Sequence, residues 1–387
     1  MRQYLSIGIV CFPSFGGSGV VASELAAGLA ERGHRVHLMA SARPGRPVHE
    51  WQGVTFHRIE VPAYPLFEHA PYDLAVASKI FDVCLEQKLD LVHVHYAVPH
   101  AASAILARTL LGRDAPAVVT SLHGTDVTRV GADPAYRSIV GAAVAASDGV
   151  VVPTDYLRRE AYRYLMLPDS VAIETVPNFV DTARFAPAAQ RNRACFEPLF
   201  GGAVDGPVLM HVSNFRSVKR PGDLVDVLVR VRRELPARLV LVGEGPERID
   251  VERRVRALGL QDYVAFLGKR ADFAELLRHA DAFVLPSESE SFGVAAAEAL
   301  ACGVPVFAYR VGGLPEVVAE QVGRLVEPFD VDALARAILE VVRNPARVEE
   351  LGAAARIHVL ERYRREPAIE RYEHYYRRVL VAAPRGN

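Results

Sequence analysis

In the stretch SESESFGVAAAEALACGVPV, residues 287–306, two carboxylates, Glu290 and Glu298, stand eight positions apart. The first precedes a glycine turn and the second sits inside an alanine-rich helical pattern. Ser291 is placed to cap that helix, Gly293 falls in its first turn, and Gly303 with Pro305 ends it. Free N–H groups around Phe292, Gly293 and Val294 would attract phosphate at the helix mouth. An α-helix rises about 1.5 Å per residue, which puts Glu298 about 10 Å beyond Glu290. Retaining glycosidases hold their carboxyl pair about 5 Å apart and inverting ones about 6.5–9.5 Å, so this pair does not obviously fit a hydrolase. It fits a long ligand laid along the helix. Phosphates would lie near the mouth, with a hydroxyl-rich unit at one carboxylate and a ribose at the other. That description matches a nucleotide sugar.

Cations occur in SNFRSVKRPGDLV, where Arg216 and Lys219 share one strand-to-helix loop. The chain has 41 arginines and 4 lysines, so a lysine here is informative. Two cations at one loop could neutralise a diphosphate through charge-assisted hydrogen bonds, and ordinary surface charge is the competing reading. A glycine loop, FPSFGGSGVVASEL, opens the first helix with Gly16, Gly17, Ser18 and Gly19. Its glycines let a backbone approach a ligand, and a helix N-terminus favours anions. Residues 17–22 also match G-x-G-x-x-A, which keeps a nicotinamide oxidoreductase in view. That fingerprint wants an acid after the second strand, and none occurs before Glu50. A second glycine turn, VGEGP at 242–246, permits close approach but resembles many α/β loops. Asp330 and Asp332 form a D-x-D where a helix begins, which reads as capping rather than metal binding.

These residues need elements to hold them. LSIGIVCF, HRVHLMA, LDLVHVHY, AVVTSLH and DGVVVP read as buried strands, and GVVASELAAGLAERG between the first two as a helix stopped by Gly33. Continuous apolar strands with intervening helices indicate a parallel sheet covered on both faces. Proline, glycine and asparagine cluster between Thr175 and Pro207, which reads as a linker centred near residue 185. A second alternating series follows: PVLMHVS, ARLVLVGEG, YVAFLG, DAFVLP, VPVFAY and GRLVE. The expected architecture is therefore α/β with two facing, doubly wound domains, 1–182 and 183–365. The tail EPAIERYEHYYRRVLVA, in helix 366–387, carries an aromatic stripe for packing and would cross back to the first domain. Ligands of open parallel sheets bind at the carboxyl ends of the strands, so a cleft between two such sheets is the expected site.

At 387 residues the chain is long enough for two cores. Its formal net charge of −1 gives no basic field for nucleic acid. The four cysteines, Cys11, Cys84, Cys195 and Cys302, form no CxxC pair and suit a reducing, cytoplasmic setting. No run has the length of a membrane span, and the short apolar start does not read as a signal peptide.

Taken together, SESESFGVAAAEALACGVPV, VPNFVD, NFRSVKR and VGEGP, in this order, resemble the retaining GT-B glycosyltransferases of the family 4 type. The likeness covers essentially the whole chain. FPSFGGSGVVASELA, LVHVHYAVPHA and SLHGTDVT are similar to the branch of that family that serves the first step of bacillithiol biosynthesis. The resemblance implies UDP-N-acetylglucosamine as donor and L-malate as acceptor; with two cations and a helix dipole to meet the diphosphate, neither metal nor cofactor is expected. It also implies roles. Arg216 and Lys219 would bind the diphosphate, Glu298 the ribose, and Glu290 the transferred sugar. His123 of HGTD would lie near that sugar, with Gly16, Gly17 and Gly19 close to diphosphate or acceptor. Ser18, Tyr96, Thr125 and Asn178 are candidates for the malate pocket, with Arg129 as a source of charge. Of His93 and His95, alternating on one strand, one is expected to be packing. A homodimer is left open, as are another acceptor (inositol phosphate, sugar or lipid), the oxidoreductase, and a non-catalytic nucleotide-sugar binder.

Overall fold

A computed structural model describes residues 4–14, 16–44, 52–62 and 68–383. Its contacts divide the chain into two compact units, 1–178 with 365–387, and 179–364.

The first unit alternates strands and helices: β1 (Ser6–Val10), α1 (Ser18–Glu31), β2 (Arg35–Ala40), β3 (Val54–Arg58), α2 (Tyr72–Gln87), β4 (Leu91–His95), α3 (Ala102–Leu111), β5 (Ala117–Ser121), α4 (Arg137–Ala145), β6 (Gly149–Val152), α5 (Asp155–Leu165) and β7 (Ile173–Thr175). Among the described residues these strands form one seven-stranded sheet, ordered β3-β2-β1-β4-β5-β6-β7. Every pairing in it is parallel. β1, β4, β5 and β6 are buried at every position, as their unbroken apolar runs require. β3 and β7, at the two edges, are only partly buried.

The second unit contains α6 (Glu197–Phe200), β8 (Val208–Val212), α7 (Pro221–Arg232), β9 (Arg238–Val242), α8 (Arg248–Ala257), β10 (Val264–Phe266), α9 (Ala274–Leu277), β11 (Ala282–Leu285), α10 (Val294–Ala301), β12 (Val306–Tyr309), α11 (Leu314–Val317), β13 (Gly323–Val326), α12 (Val331–Val342) and α13 (Pro345–Arg362). Its six described strands are ordered β10-β9-β8-β11-β12-β13 and are likewise all parallel. Phe215, Phe273, Phe283, Phe292, Phe307 and Tyr309 lie in its core.

The final helix, α14 (Arg365–Ala382), returns to the first unit. Ile369, Tyr372, Tyr375 and Tyr376 form its buried face, so the aromatic stripe is packing. Tyr376 meets His93 of β4, hydroxyl to Nδ1 at 2.7 Å. Gly28 of α1 lies under this helix, where a Cβ would stand 1.8 Å from Ile369 Cδ1. Arg365 clamps the same face, 3.3 Å from Glu24 and 2.8 Å from Glu31.

The stretch expected as a linker is not a free connection. Phe185, Phe196 and Val204 enter the second core. Arg193 forms a two-pronged pair with Asp281, at 3.0 and 2.7 Å. Arg356 donates to the carbonyls of Thr182 and Phe185. Periodicity fades there because the segment is held by side chains rather than by ladder bonds.

In each sheet the strand order reverses beside its first strand, β1 against β4 and β8 against β11. Loops leaving the carboxyl ends of such neighbours diverge and leave room for a ligand.

Candidate active site

In the second unit the loop after β8 and the loop after β11 lie side by side. Glu288 N–H donates to Val218 O at 2.8 Å, tying the loops together through the backbone. Lys219 Nζ donates to Glu290 Oε1 at 2.7 Å, and Ser287 Oγ donates to the same oxygen at 2.8 Å. This leaves Glu290 Oε2 as the second acceptor of that carboxylate. Gly313 N–H fixes the Glu290 backbone by donating to its carbonyl at 2.9 Å. Arg216 is exposed, next to the single 3₁₀ turn Ser217–Lys219. Arg220 turns away, paired with Asp223 at 2.8 and 2.9 Å, while Tyr309 donates to the same carboxylate. Of the three cations of this loop, Arg216 is exposed, Lys219 is held by Glu290 and Arg220 by Asp223.

Gly293 is the cap residue of α10 at φ 86°, and no side chain caps it. The helix begins at Val294, so Gly293 precedes the first turn and Ser291 does not serve as the cap. A left-handed glycine closes this end instead. Glu290 consequently lies in the loop, and the rise of a straight helix does not measure its separation from Glu298. Phe292 is buried, its ring 5.3 Å from that of Tyr363, so only its backbone can face a ligand. Glu298 is 2% exposed, on the buried side of α10.

The VGEGP glycines pack against the cation loop. A Cβ at Gly243 would stand 1.7 Å from Ser213 O, and one at Gly245 would stand 1.9 Å from Asn214 O. Their small size serves contact between two loops of one unit. Asp330 accepts from Ala333 N–H at 2.7 Å and so caps α12, while Asp332 pairs with Arg230.

In the first unit Gly17 caps α1 at φ 57°, and a Cβ on Gly16 or Gly17 would meet nothing within 4 Å. That open side suits a ligand. Gly19 differs: a Cβ there would stand 2.5 Å from Ser14 Oγ. Ser14 Oγ accepts from Gly19 N–H at 3.1 Å and donates to Gly16 O at 2.8 Å, so it shapes the glycine loop. Ser18 is buried.

Tyr96 follows β4 at φ 90°, a conformation that costs a non-glycine residue of order 1–3 kcal/mol and tends to gather at functional sites. Its ring is 5.2 Å from His123 and 5.3 Å from Phe12. His123 is half-buried after β5, with Nε2 2.9 Å from His95 Nδ1. Burial lowers the pKa of His123 to about 3, so the ring is neutral near pH 7. Asp126 ties the loops after β4 and β5 by accepting from Ala97, His123 and Gly124 N–H at 3.2, 3.0 and 2.8 Å. His93 and His95 are both buried. His93 is a packing residue, held between Tyr376 and Ser121, whereas His95 touches His123. Thr125 and Arg129 are exposed, and Asn178 is buried at the end of the unit.

Two family models cover most of the chain: Glycosyltransferase Family 4 over residues 15–184, and Glycosyl transferases group 1 over residues 201–358. An N-acetyl-alpha-D-glucosaminyl L-malate synthase of Bacillus anthracis is 40% identical over 97% of this chain and 97% of its own. The chain belongs to the family 4 glycosyltransferases. A D-inositol 3-phosphate glycosyltransferase of Xylanimonas cellulosilytica is similar at 32% identity, over 88% of this chain and 87% of its own. The fold of this glycosyltransferase matches a sucrose-phosphate synthase of Thermosynechococcus elongatus with a TM-score of 0.82. The match has 22% identity and covers 98% of this chain and 100% of the other. Among the described residues, no helix is long and apolar enough to cross a membrane.

Sequence patterns did not single out Ser14, Ser287 or Asp126. All are polar groups that shape loops. Asp126 lies within SLHGTDVT, and its place after HGT was the available signal.

Proposed function

We propose that the protein transfers N-acetylglucosamine from UDP-N-acetylglucosamine to the hydroxyl of L-malate, with retention at the anomeric carbon, as the first step of bacillithiol biosynthesis. The observation that carries this reading is the near full-length similarity to the malate synthase. The second unit would bind the donor. Arg216 and Lys219 would meet the diphosphate, with the N–H groups from Ser291 to Gly293 beside them. Glu290 would hold the sugar through the oxygen that Lys219 and Ser287 leave available. Glu298 would receive the ribose, which must then reach a carboxylate that is 2% exposed. The first unit would bind the acceptor, through the glycine loop, open at Gly16 and Gly17 and continued by the buried Ser18 and Gly19, and through Tyr96, Thr125 and Asn178. His123 would supply a neutral ring near the sugar.

In this mechanism the bond between the anomeric carbon and the phosphate oxygen breaks, and its electron pair leaves with UDP. The malate hydroxyl oxygen bonds to the anomeric carbon on the same face. Its proton passes to the departing phosphate oxygen. Arg216, Lys219 and the start of α10 offset the charge that grows on that phosphate, the effect that usually dominates such catalysis. Because these cations supply the charge, activity is expected to survive EDTA. Loss with EDTA and recovery with magnesium would overturn that assignment.

The deciding experiment is an acceptor panel with UDP-N-acetylglucosamine, scored by product mass. A glycosylated malate supports the reading. A glycosylated inositol phosphate with malate inert would replace it, an alternative kept in view by the similarity to inositol 3-phosphate glycosyltransferases. A covalent sugar–enzyme intermediate trapped by mass spectrometry would refute same-face attack.

A further inference from the structure

The backbone pairing of β8 with β11 runs through Leu209–Ala282 and Met210–Phe283 and then stops. At the next register position a side chain takes over. His211 Nδ1 lies 2.8 Å from Val284 O, and its Nε2 lies 2.8 Å from Ser213 Oγ. A carbonyl can only accept, so Nδ1 carries the proton. Burial lowers the His211 pKa to about 4, so the ring is neutral near pH 7 and Nε2 is an acceptor. Ser213 must therefore donate to it. Ser213 Oγ in turn accepts from Phe215 N–H at 3.2 Å. The chain of donors runs from Phe215 through Ser213 and His211 to β11.

Its far end is a strained residue. Phe215 has φ 38°, the left-handed region a bulky side chain avoids, while its ring is fully buried. With its ring in the core, this turn sends the chain outward, so that the next residue, Arg216, is exposed. Gly243 and Gly245 form the opposite wall, close against the carbonyls of Ser213, Asn214 and Phe215. Glu247 N–H donates to Phe215 O at 3.0 Å. A strained turn persists only where its surroundings over-determine it, and such turns gather where ligands are held.

We infer that His211, acting through Ser213, is a positioning residue: it holds the Phe215 turn so that Arg216 and Lys219 are presented to the donor diphosphate beside Glu290. This rests on the donor-binding reading above. His211 touches no substrate. Its imidazole replaces a ladder bond where β8 and β11 diverge, and so it couples the cation loop to the strand that leads to Glu290.

The test uses Ser213→Ala, which removes the acceptor for Phe215 N–H and the donor to His211, with Ser213→Thr as the conservative rescue. UDP affinity by calorimetry and separate donor and acceptor KM values are measured on the full chain. One hydrogen bond's net worth predicts that Ser213→Ala weakens UDP binding roughly five- to tenfold and raises the donor KM to match. The acceptor KM should stay unchanged, and Ser213→Thr should bind UDP like the wild type. A merely structural lesion would reduce the active fraction, and hence kcat, without splitting the two KM values. Wild-type UDP affinity in Ser213→Ala, or a Ser213→Thr as weak as Ser213→Ala, overturns the role alone. A wild-type chain that does not bind UDP overturns the donor reading and this role with it.

Discussion

At the scale of single residues, the site turns on how few charges remain unspent. Arg220 is committed to Asp223, whereas Lys219 holds Glu290 and Arg216 faces solvent. Lys219→Ala should lower kcat by about 10²–10³-fold, the usual cost of removing one group aimed at developing charge. Steady-state rates with UDP-N-acetylglucosamine would check this, and a loss under tenfold would contradict the assignment. Arg216, Lys219 and Glu290 were visible in the sequence as charged residues of strand-to-helix loops set against apolar runs, and the pairing of Lys219 with Glu290 is what the structure adds. Ser14, Ser213 and Ser287 were not, because a serine in a loop carries no sign of its partner. His211 sat inside an apolar strand pattern, and its acceptor lies 73 positions away in sequence.

At the scale of elements, glycine sets how closely loops approach. Gly243→Ala would force a Cβ to within 1.7 Å of Ser213 O at φ 128°. A destabilisation of about 2–5 kcal/mol is expected from overpacking and backbone strain, read from urea unfolding. Tyr376→Phe tests the tie between α14 and the first sheet. It leaves a fully buried nitrogen of His93 without its partner and should cost about 1–3 kcal/mol. The central strands could be read from the sequence because both faces are covered, which makes them continuous apolar runs. β3 and β7 could not. VTFHR is half exposed with no clean alternation, and IET is three residues long. The segment after Thr175, read as a linker, is also held to the second unit by contacts such as Arg193 to Asp281, which are invisible to periodicity.

At the scale of the whole molecule, buried histidines govern the response to acid. Burial lowers the pKa of His93 and His123 to about 3, and that of His37, His100 and His211 to about 4. Each is neutral when folded but takes a proton at its ordinary pKa, about 6.5, when unfolded. Their stabilisation is complete above that pH and drains away as pH falls from about 6.5 toward about 4 for three of them and about 3 for His93 and His123. Asp126, raised to about 6 by burial, has the opposite sign over part of this window but is one group against these five and against His34, His57, His95, His279 and His358, which burial also lowers. The urea midpoint should therefore fall between pH 7 and pH 5, and a flat profile would contradict the burial of these rings.

Because α14 belongs to the first unit yet follows the second in the chain, the order of synthesis and the order of completion differ. A ribosome finishes residues 179–364 before it makes Ile369 and Tyr376. The earlier-made sheet thus waits for the last-made helix, with the cover site of α1 and the His93 ring unclad until α14 docks.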